Sequence, residues 1–348
     1  MDARANADDP LAGGHAGAAL EAWLADHVEG YRGPSTIERF AGGQSNPTFK
    51  LTAPSGAYVL RRKPLGQTLP SAHAVDREFR VMQALWRSPV PVPRTHALCL
   101  DPAVAGGMFY VMDFLRGRVV FDARLPDFSR QDRARVFDSL NATIAAIHSL
   151  DPQALGLGDF GRSGDYIQRQ IARWTKQYRA AETERNAAFE DLIAWLPAHA
   201  PPEGETRLVH GDYRLDNALL HPSEPRIIAV LDWELSTLGD PRADFAYHAM
   251  SWRIRPELFR GLEGVDFSAL GVPDEAAYVE AYVRRGGIDP RPHWRFFLVL
   301  SLFRIAAILQ GIAKRALDGT AADAAAAEVG AKARPLAERA ARLLAEGA

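Results

Sequence analysis

The 348-residue chain contains a single cysteine, Cys99. One thiol excludes an intrachain disulfide framework and suits a reducing compartment, so a cytoplasmic location is expected. Its neighbours Ala97, Leu98 and Leu100 mark Cys99 as a small buried hydrophobe rather than a nucleophile. Strong charge of either sign is also missing. With 41 Lys/Arg against 43 Asp/Glu the net charge is −2, which gives no attraction for nucleic acid or an anionic membrane. No apolar run reads as long enough to span a membrane. The start of the chain lacks the cationic beginning and apolar centre of a signal peptide. Residues 1–17, small and mildly acidic at their start, read as a disordered tail. His/Cys clusters with zinc spacing and a Gly-x-Ser-x-Gly nucleophile elbow are absent, as are the glycine fingerprints of P-loop and dinucleotide-binding proteins.

What is present points to a large globular chain. The length predicts about two domains, and 47% hydrophobic residues suffice for sizeable cores. Leu20, Trp23, Leu24 and Val28 share one face of an expected helix over 18–28. Strands are expected near 36–40, 48–52 and 57–63, with Pro54-Ser55-Gly56 as a turn, and another over 108–115. Beyond Gly117 the pattern becomes mainly helical, with helices near 129–149 (capped by Ser129), 164–180 and 186–198.

The densest chemical signal is His210-Gly211-Asp212-Tyr213-Arg214-Leu215-Asp216-Asn217 followed by Leu231-Asp232-Trp233-Glu234. Asp212 and Asn217 are five positions apart in an expected loop. Asp232 ends Arg226–Leu231, an apolar, β-branched run that reads as a buried strand. A hard cation such as magnesium takes oxygen ligands, commonly one or two carboxylates together with nucleotide phosphates. Phosphoryl transfer also needs a carboxylate that orients the attacking hydroxyl. In kinases a catalytic Asp is followed five residues later by a metal-binding Asn, and a second metal-binding Asp ends another strand. Asp212, Asn217 and Asp232 reproduce that arrangement, with Arg214 placed to offset charge on a transferring phosphate. The alternative is a loop of Asp and Asn residues capping their own backbone.

At these residues the chain resembles the aminoglycoside phosphotransferase-type family of small-molecule kinases. The likeness is nearest to the kinase-like domains fused to some acyl-CoA dehydrogenases. Gly42-Gly43-Gln44-Ser45-Asn46-Pro47-Thr48-Phe49, Tyr58 to Pro64 and Ala72 to Phe79 carry the same resemblance, which runs from about Phe40 to the last helices. It implies an α+β, bilobal, protein-kinase-like fold: a small lobe over 18–115 with an antiparallel sheet, and a larger, mainly helical lobe over 116–348. It further implies ATP and magnesium as cofactors and a small hydroxylated molecule as partner, with neither nucleic acid nor membrane.

Residue by residue, the resemblance assigns Asp212 and Arg214 to catalysis and Asn217 and Asp232 to the metal. The nucleotide would be held by Gly42, Gly43, Gln44, Ser45, Asn46, Arg61, Lys63 and Glu78. Backbone groups of Asp113, Phe114 and Leu115 would face the adenine. The family more often has Lys where this chain has Arg61; Arg61 and Lys63 share strand parity, so either is a candidate. Asp244 would brace the catalytic loop from beneath, and Asp240 is an ordinary helix cap before Pro241. Trp233 is expected to pack, Glu234 to support the metal ligand, and His210 to be structural. From Asp274 onward nine Asp/Glu face eleven Lys/Arg, which does not favour a polycationic acceptor. Tyr247, His248, Trp252, Arg253, Arg255, His293, Trp294 and Arg304 suggest a mixed aromatic and cationic surface suited to an acidic or CoA-linked acceptor. Two other classes share these motifs: a nucleotide-binding module without turnover, and a nucleotidyl transferase.

Overall fold

In the computed structural model, residues 11, 13–40, 46–65, 74–162, 164–321 and 324–346 are described. Two compact units emerge. The first runs through Gly117 and also takes in Ala229–Leu235, a segment that the sequence reading grouped with the later lobe. The second comprises Arg118–Ile228 and the chain from Ser236 onward.

The first unit is built on a five-stranded antiparallel sheet in the order β1-β2-β3-β5-β4. Its strands are β1 (Thr36–Arg39), β2 (Thr48–Ala53), β3 (Gly56–Arg62), β4 (Thr95–Cys99) and β5 (Phe109–Asp113). Phe49 and Leu51 on β2 alternate inward, as a half-buried strand requires. They meet Leu20 and Leu24 of α1 (Ala18–His27) in one core that also includes Leu60, Phe109 and Val111. Helix α2 (Val75–Leu85) buries Val75, Glu78, Val81, Met82 and Leu85. A buried glutamate in that stripe is unusual, because an uncompensated carboxylate is costly to remove from water.

The expected disordered tail is corrected over its described residues. Leu11 is buried in the first unit's core. Backbone hydrogen bonds tie Ala16 N–H to the Ser35 carbonyl and Ile37 N–H to the Gly14 carbonyl, extending the edge beside β1. These pairings satisfy backbone groups that would otherwise need water. Cys99 is buried, and burial pushes its thiol pKa up.

The second unit is mainly helical: α3 (Arg130–Ser149), α4 (Tyr166–Ala181), α5 (Ala187–Ala198), α6 (Pro241–Ala249), α7 (Glu275–Arg284), α8 (Trp294–Leu317) and α9 (Ala333–Ala345). Ser129 caps α3 by accepting from Asp132 N–H, and Asp240 caps α6 by accepting from Arg242 N–H. Helix α8 is the centre of the core and packs against α4, α5, α6 and α9. Contrary to the sequence reading, Arg291–Leu317 is long and apolar enough to cross a membrane; 72% of its apolar window is buried within the protein. A helix that is apolar on all sides is what a buried central position selects. Two short strands, β6 (Arg207–Val209) and β9 (Thr237–Gly239), pair antiparallel and flank the segment that carries the motif residues. Between them lie β7 (Ala218–Leu220) and β8 (Ile227–Val230).

Candidate active site

In the second unit, the chain leaves β6 through His210, Gly211 and Asp212, then makes a helical turn over Leu215–Asn217 before β7. Gly211 has φ of +81°, a left-handed conformation that glycine adopts without steric cost. The turn is held from α6. Asp244 accepts from the backbone N–H of His210 at 2.8 Å and of Gly211 at 2.9 Å, and lies 3.1 Å from His148 Nε2. Because β6 pairs with β9, and β9 leads directly into α6, local topology brings Asp244 beneath this turn. Burial alone would raise the Asp244 pKa; His148, His210 and these hydrogen bonds hold it below the ordinary carboxylate value. Arg304 of α8 donates to the Gly211 carbonyl and stacks over the Tyr247 ring at 4.2 Å. His210 is fully buried, and its Nδ1 accepts from Asp212 N–H at 3.2 Å, a structural role.

Asp212 is thereby presented with its side chain 16% exposed. Asn217 donates to its carbonyl at 2.8 Å and to Oδ2 at 3.0 Å. Arg214 donates to Oδ2 at 3.1 Å, with its Nε 3.1 Å from Oδ1. Burial, then the nearby Asp212 charge, holds the Tyr247 hydroxyl protonated. The structure thus brings Asp212, Arg214 and Asn217 together as the motif predicts. Arg214 differs in one respect from the sequence expectation, since its guanidinium is engaged by Asp212 and, at 3.4 Å, by Asp216. Asp216 is in turn paired with Arg260. Arg214, Asp216 and Arg260 edge a cavity whose walls include Phe121, Phe137, Leu140, Met250, Ile254 and Phe259.

The first unit holds a second cluster, centred on Arg61 of β3. Its Nε lies 2.9 Å from Glu78 Oε2, its Nη2 donates to Asp232 Oδ1 at 2.6 Å, and Glu234 Oε2 is 3.8 Å away. Tyr110 donates its hydroxyl to Glu78 at 3.0 Å, and Asn46 donates to Glu78 at 2.9 Å and to Glu234 at 3.4 Å. Burial pushes the Glu78 carboxyl up to about 7, against the pull of Arg61, with Asp232 and Glu234 adding to the rise. Asp232 follows β8 with φ of +63°, a strained backbone for a non-glycine residue. Val230 N–H donates to the Pro91 carbonyl at 2.8 Å, and the buried Trp233 indole donates to the Val230 carbonyl at 3.0 Å. Both contacts fix the segment that carries Asp232.

The remaining candidates fall elsewhere. Gly42, Gly43, Gln44 and Ser45 lie outside the described residues. Lys63 stands one residue past β3, with its N–H donated to the Met108 carbonyl, so strand parity does not bring it into the Arg61 cluster. Arg62, between them, is buried and donates to the Ala105 carbonyl at 2.7 Å. Asp113 binds His96 Nε2 at 2.7 Å, and its N–H is donated to the Arg94 carbonyl. Phe114 stacks on Phe40 at 6.3 Å, and the half-buried Leu115 follows it. The expected aromatic and cationic surface is corrected at four of its eight residues. Tyr247, His248, Trp252 and Arg304 are buried, because they sit on the inward faces of α6, the turn after it and α8. Arg255 is exposed, and Arg253, His293 and Trp294 are half-buried.

Each unit by itself carries a hard-oxygen donor of the type magnesium takes. In the second, Asn217 spends amide N–H groups on Asp212, which leaves its amide oxygen for a metal; in the first, Asp232 carries a carboxylate. Among the described residues no group of three or more His, Cys, Asp or Glu is placed to cage an ion. A sparse set of hard oxygens is what magnesium uses when nucleotide phosphates complete its shell.

Residues 36–297 match the model of the phosphotransferase enzyme family. Acyl-CoA dehydrogenase family member 10 of Mus musculus is 46% identical over 300 residues, covering 86% of this chain and 28% of that protein. Acyl-CoA dehydrogenase family member 11 of Rattus norvegicus is 43% identical over 309 residues, covering 86% of this chain and 39% of its own length. The chain therefore spans about two fifths or less of these relatives. A crystal structure from Ralstonia eutropha, provisionally assigned as an aminoglycoside phosphotransferase, is 52% identical, with a TM-score of 0.86 over 94% of this chain and 98% of that one. Aminoglycoside phosphotransferase APH(4)-Ia, solved with AMP-PNP and hygromycin B, is 17% identical with a TM-score of 0.63, over 95% of this chain and all of the other, a likeness of fold. The antiparallel sheet of the first unit and the helical second unit are those of the protein-kinase-like α+β fold, and the chain belongs to the phosphotransferase enzyme family.

Proposed function

We propose that the protein is an ATP- and magnesium-dependent kinase that transfers the γ-phosphate to a hydroxyl of a small molecule in the cytoplasm. The observation that carries this reading is Asp212, a carboxylate held by Asn217 and Arg214 on a turn braced by Asp244. Two hydrogen bonds on Oδ2 and the guanidinium beside Oδ1 fix its direction but reduce its basicity. That is acceptable because the transition state of phosphoryl transfer is loose, so orienting the hydroxyl matters more than removing its proton early. Magnesium, when bound with the nucleotide, would neutralise charge on the phosphates; Asn217 and Asp232 would each offer it one oxygen. Arg61, braced by Glu78, would bind the phosphates.

The acceptor is argued from the cavity beside Arg214. Its walls are mostly apolar and its charged edge pairs two guanidiniums with Asp216, so a polycationic aminoglycoside would find little to bind. Relatives named acyl-CoA dehydrogenases support a hydroxyacyl-CoA or another acidic, hydroxylated metabolite. The test is transfer from γ-labelled ATP to a panel of hydroxyacyl-CoAs, aminoglycosides, choline and sugars. Label on one class, lost in Asp212→Asn, is expected; addition of AMP instead of phosphate would make the protein a nucleotidyl transferase.

A second reading is favoured by the 2.6 Å pair of Arg61 with Asp232, which occupies both a phosphate-binding cation and a metal ligand. If nucleotide does not separate them, the protein is a nucleotide-binding module. Magnesium-dependent ATP binding without label on any acceptor would support that reading.

A further inference from the structure

Four charges alternate in one row, Asp212, Arg214, Asp216 and Arg260, and the last three line the cavity. The first three share the motif loop. Arg260 does not; it comes from the end of a helical turn over Pro256–Phe259, forty-four residues further on. We infer that Arg260 is a positioning residue for Asp212, acting through Asp216 and Arg214. The inference rests on the reading of Asp212 as the carboxylate that orients the acceptor.

Two carboxylates compete for Arg214. Arg214 sits between two carboxylates, 3.1 Å from Asp212 and 3.4 Å from Asp216. Asp216 is 10% exposed, so water alone satisfies it poorly. With Arg260 paired to it, Asp216 has its own cation, and Arg214 keeps its hydrogen bond to Asp212 Oδ2 and its 3.1 Å approach to Oδ1. Without Arg260, Asp216 would draw Arg214 along the row and the Asp212 carboxylate would lose a fixed direction. Contacting charges in one network couple in this way.

Arg260 is held for such a role on every side. Its backbone has φ of +48°, a left-handed conformation that persists in a non-glycine residue only where the surroundings impose it. Its guanidinium lies over the rings of Phe121 at 5.1 Å and Phe259 at 5.5 Å. Just after it, Leu262 N–H donates to the Ser251 carbonyl at 2.7 Å and Glu263 N–H to the Ile254 carbonyl at 2.9 Å. Gly261 passes so close to the Ile254 carbonyl that a β-carbon there would lie 1.7 Å from its oxygen. The side chain is therefore aimed by a fixed backbone rather than by its own flexibility.

The test is whether neutralising Asp216 rescues loss of Arg260. Arg260→Met should lower kcat about tenfold, the scale of coupling between contacting charges, with KM for ATP unchanged. Arg260→Met combined with Asp216→Asn should recover most of that loss, and Arg260→Lys should be impaired less than Arg260→Met. A second readout needs no acceptor. The Arg214 Nε–H resonance, assigned by its disappearance in Arg214→Lys, should move in Arg260→Met and return in the double variant. Should Arg260→Met not fold, Arg260→Gln with and without Asp216→Asn makes the same comparison. A moving and rescued resonance without transfer to any acceptor in the wild type would sink the kinase reading and leave this inference standing. A double variant as perturbed as Arg260→Met, or an Arg260→Met indistinguishable from wild type, would overturn the inference.

Discussion

Arg61 donates to Asp232 at 2.6 Å while its Nε faces Glu78 at 2.9 Å, so one guanidinium joins a strand, a helix and the segment after β8. With Glu234 also within 3.8 Å, three carboxylates depend on this cation. Removing it leaves them to repel one another where water is scarce. Arg61→Met is expected to destabilise the protein by about 3–5 kcal/mol, the cost of breaking a buried pair from one side. Arg61→Lys should cost less, because a point charge survives but cannot reach several carboxylates with a planar fork. Urea unfolding midpoints of the two variants measure the difference.

Asp244 gives a second prediction. Its two oxygens take the backbone N–H groups of His210 and Gly211, so Asp244→Ala strands two buried donors at about 1–3 kcal/mol each. The amides of His210 and Gly211 should exchange with solvent much faster in the variant than in the wild type, while amides in β5 stay protected. Unchanged exchange at both positions would show that the turn holds its shape without Asp244.

The pH dependence of stability should carry a mark of Glu78. Its folded value, raised to about 7, exceeds its ordinary 4.5, so the folded protein binds that proton more tightly than the unfolded chain. The contribution is fully present below 4.5 and is lost as pH rises towards 7. Glu78→Gln should remove this decline, seen as a smaller drop in midpoint temperature between pH 4.5 and 7. His248 acts in the opposite sense. Burial depresses it to about 4 from 6.5, so its contribution is full above 6.5 and fades as pH falls towards 4.

A fourth prediction concerns packing. A β-carbon at Gly330 would lie 2.6 Å from the Ala313 Cα and 2.7 Å from its backbone nitrogen. Both are main-chain atoms of α8, which cannot move aside as a side-chain tip can. Gly330→Ala should therefore cost about 1–3 kcal/mol, the range for overpacking. Differential scanning calorimetry on the otherwise unaltered chain checks it.

The sequence made local features legible and concealed those that depend on distance along the chain. The turn from His210 to Asn217 could be read because spacing and residue type sit within eight positions. The β2–β3 hairpin showed its turn in Pro54-Ser55-Gly56, and the caps at Ser129 and Asp240 were visible beside their helices. Tyr110 and Arg260 were not legible as site residues. Each reaches its partner across thirty or more positions, and nothing in the local pattern distinguishes such a residue from one that merely packs. Aromatic and cationic residues around α6 were read as surface for the same reason, because residue type alone does not say which helix face meets α8. Strand β4 went unassigned, since only Cys99 among Thr95–Cys99 is fully buried and the alternation of a strand is weak there.

The first unit is discontinuous in sequence, and this bears on how the protein can be divided. A fragment ending at Gly117 would have the whole sheet and α2 but not Asp232, Trp233 or Glu234. Arg61 would lose two of its carboxylates, and the Pro91 carbonyl would lose the Val230 N–H that covers it. Truncation, splicing or domain shuffling at the apparent junction would thus yield an incomplete half. The two units are obliged to be inherited and synthesised together, because seven residues of one are stored in the coding span of the other.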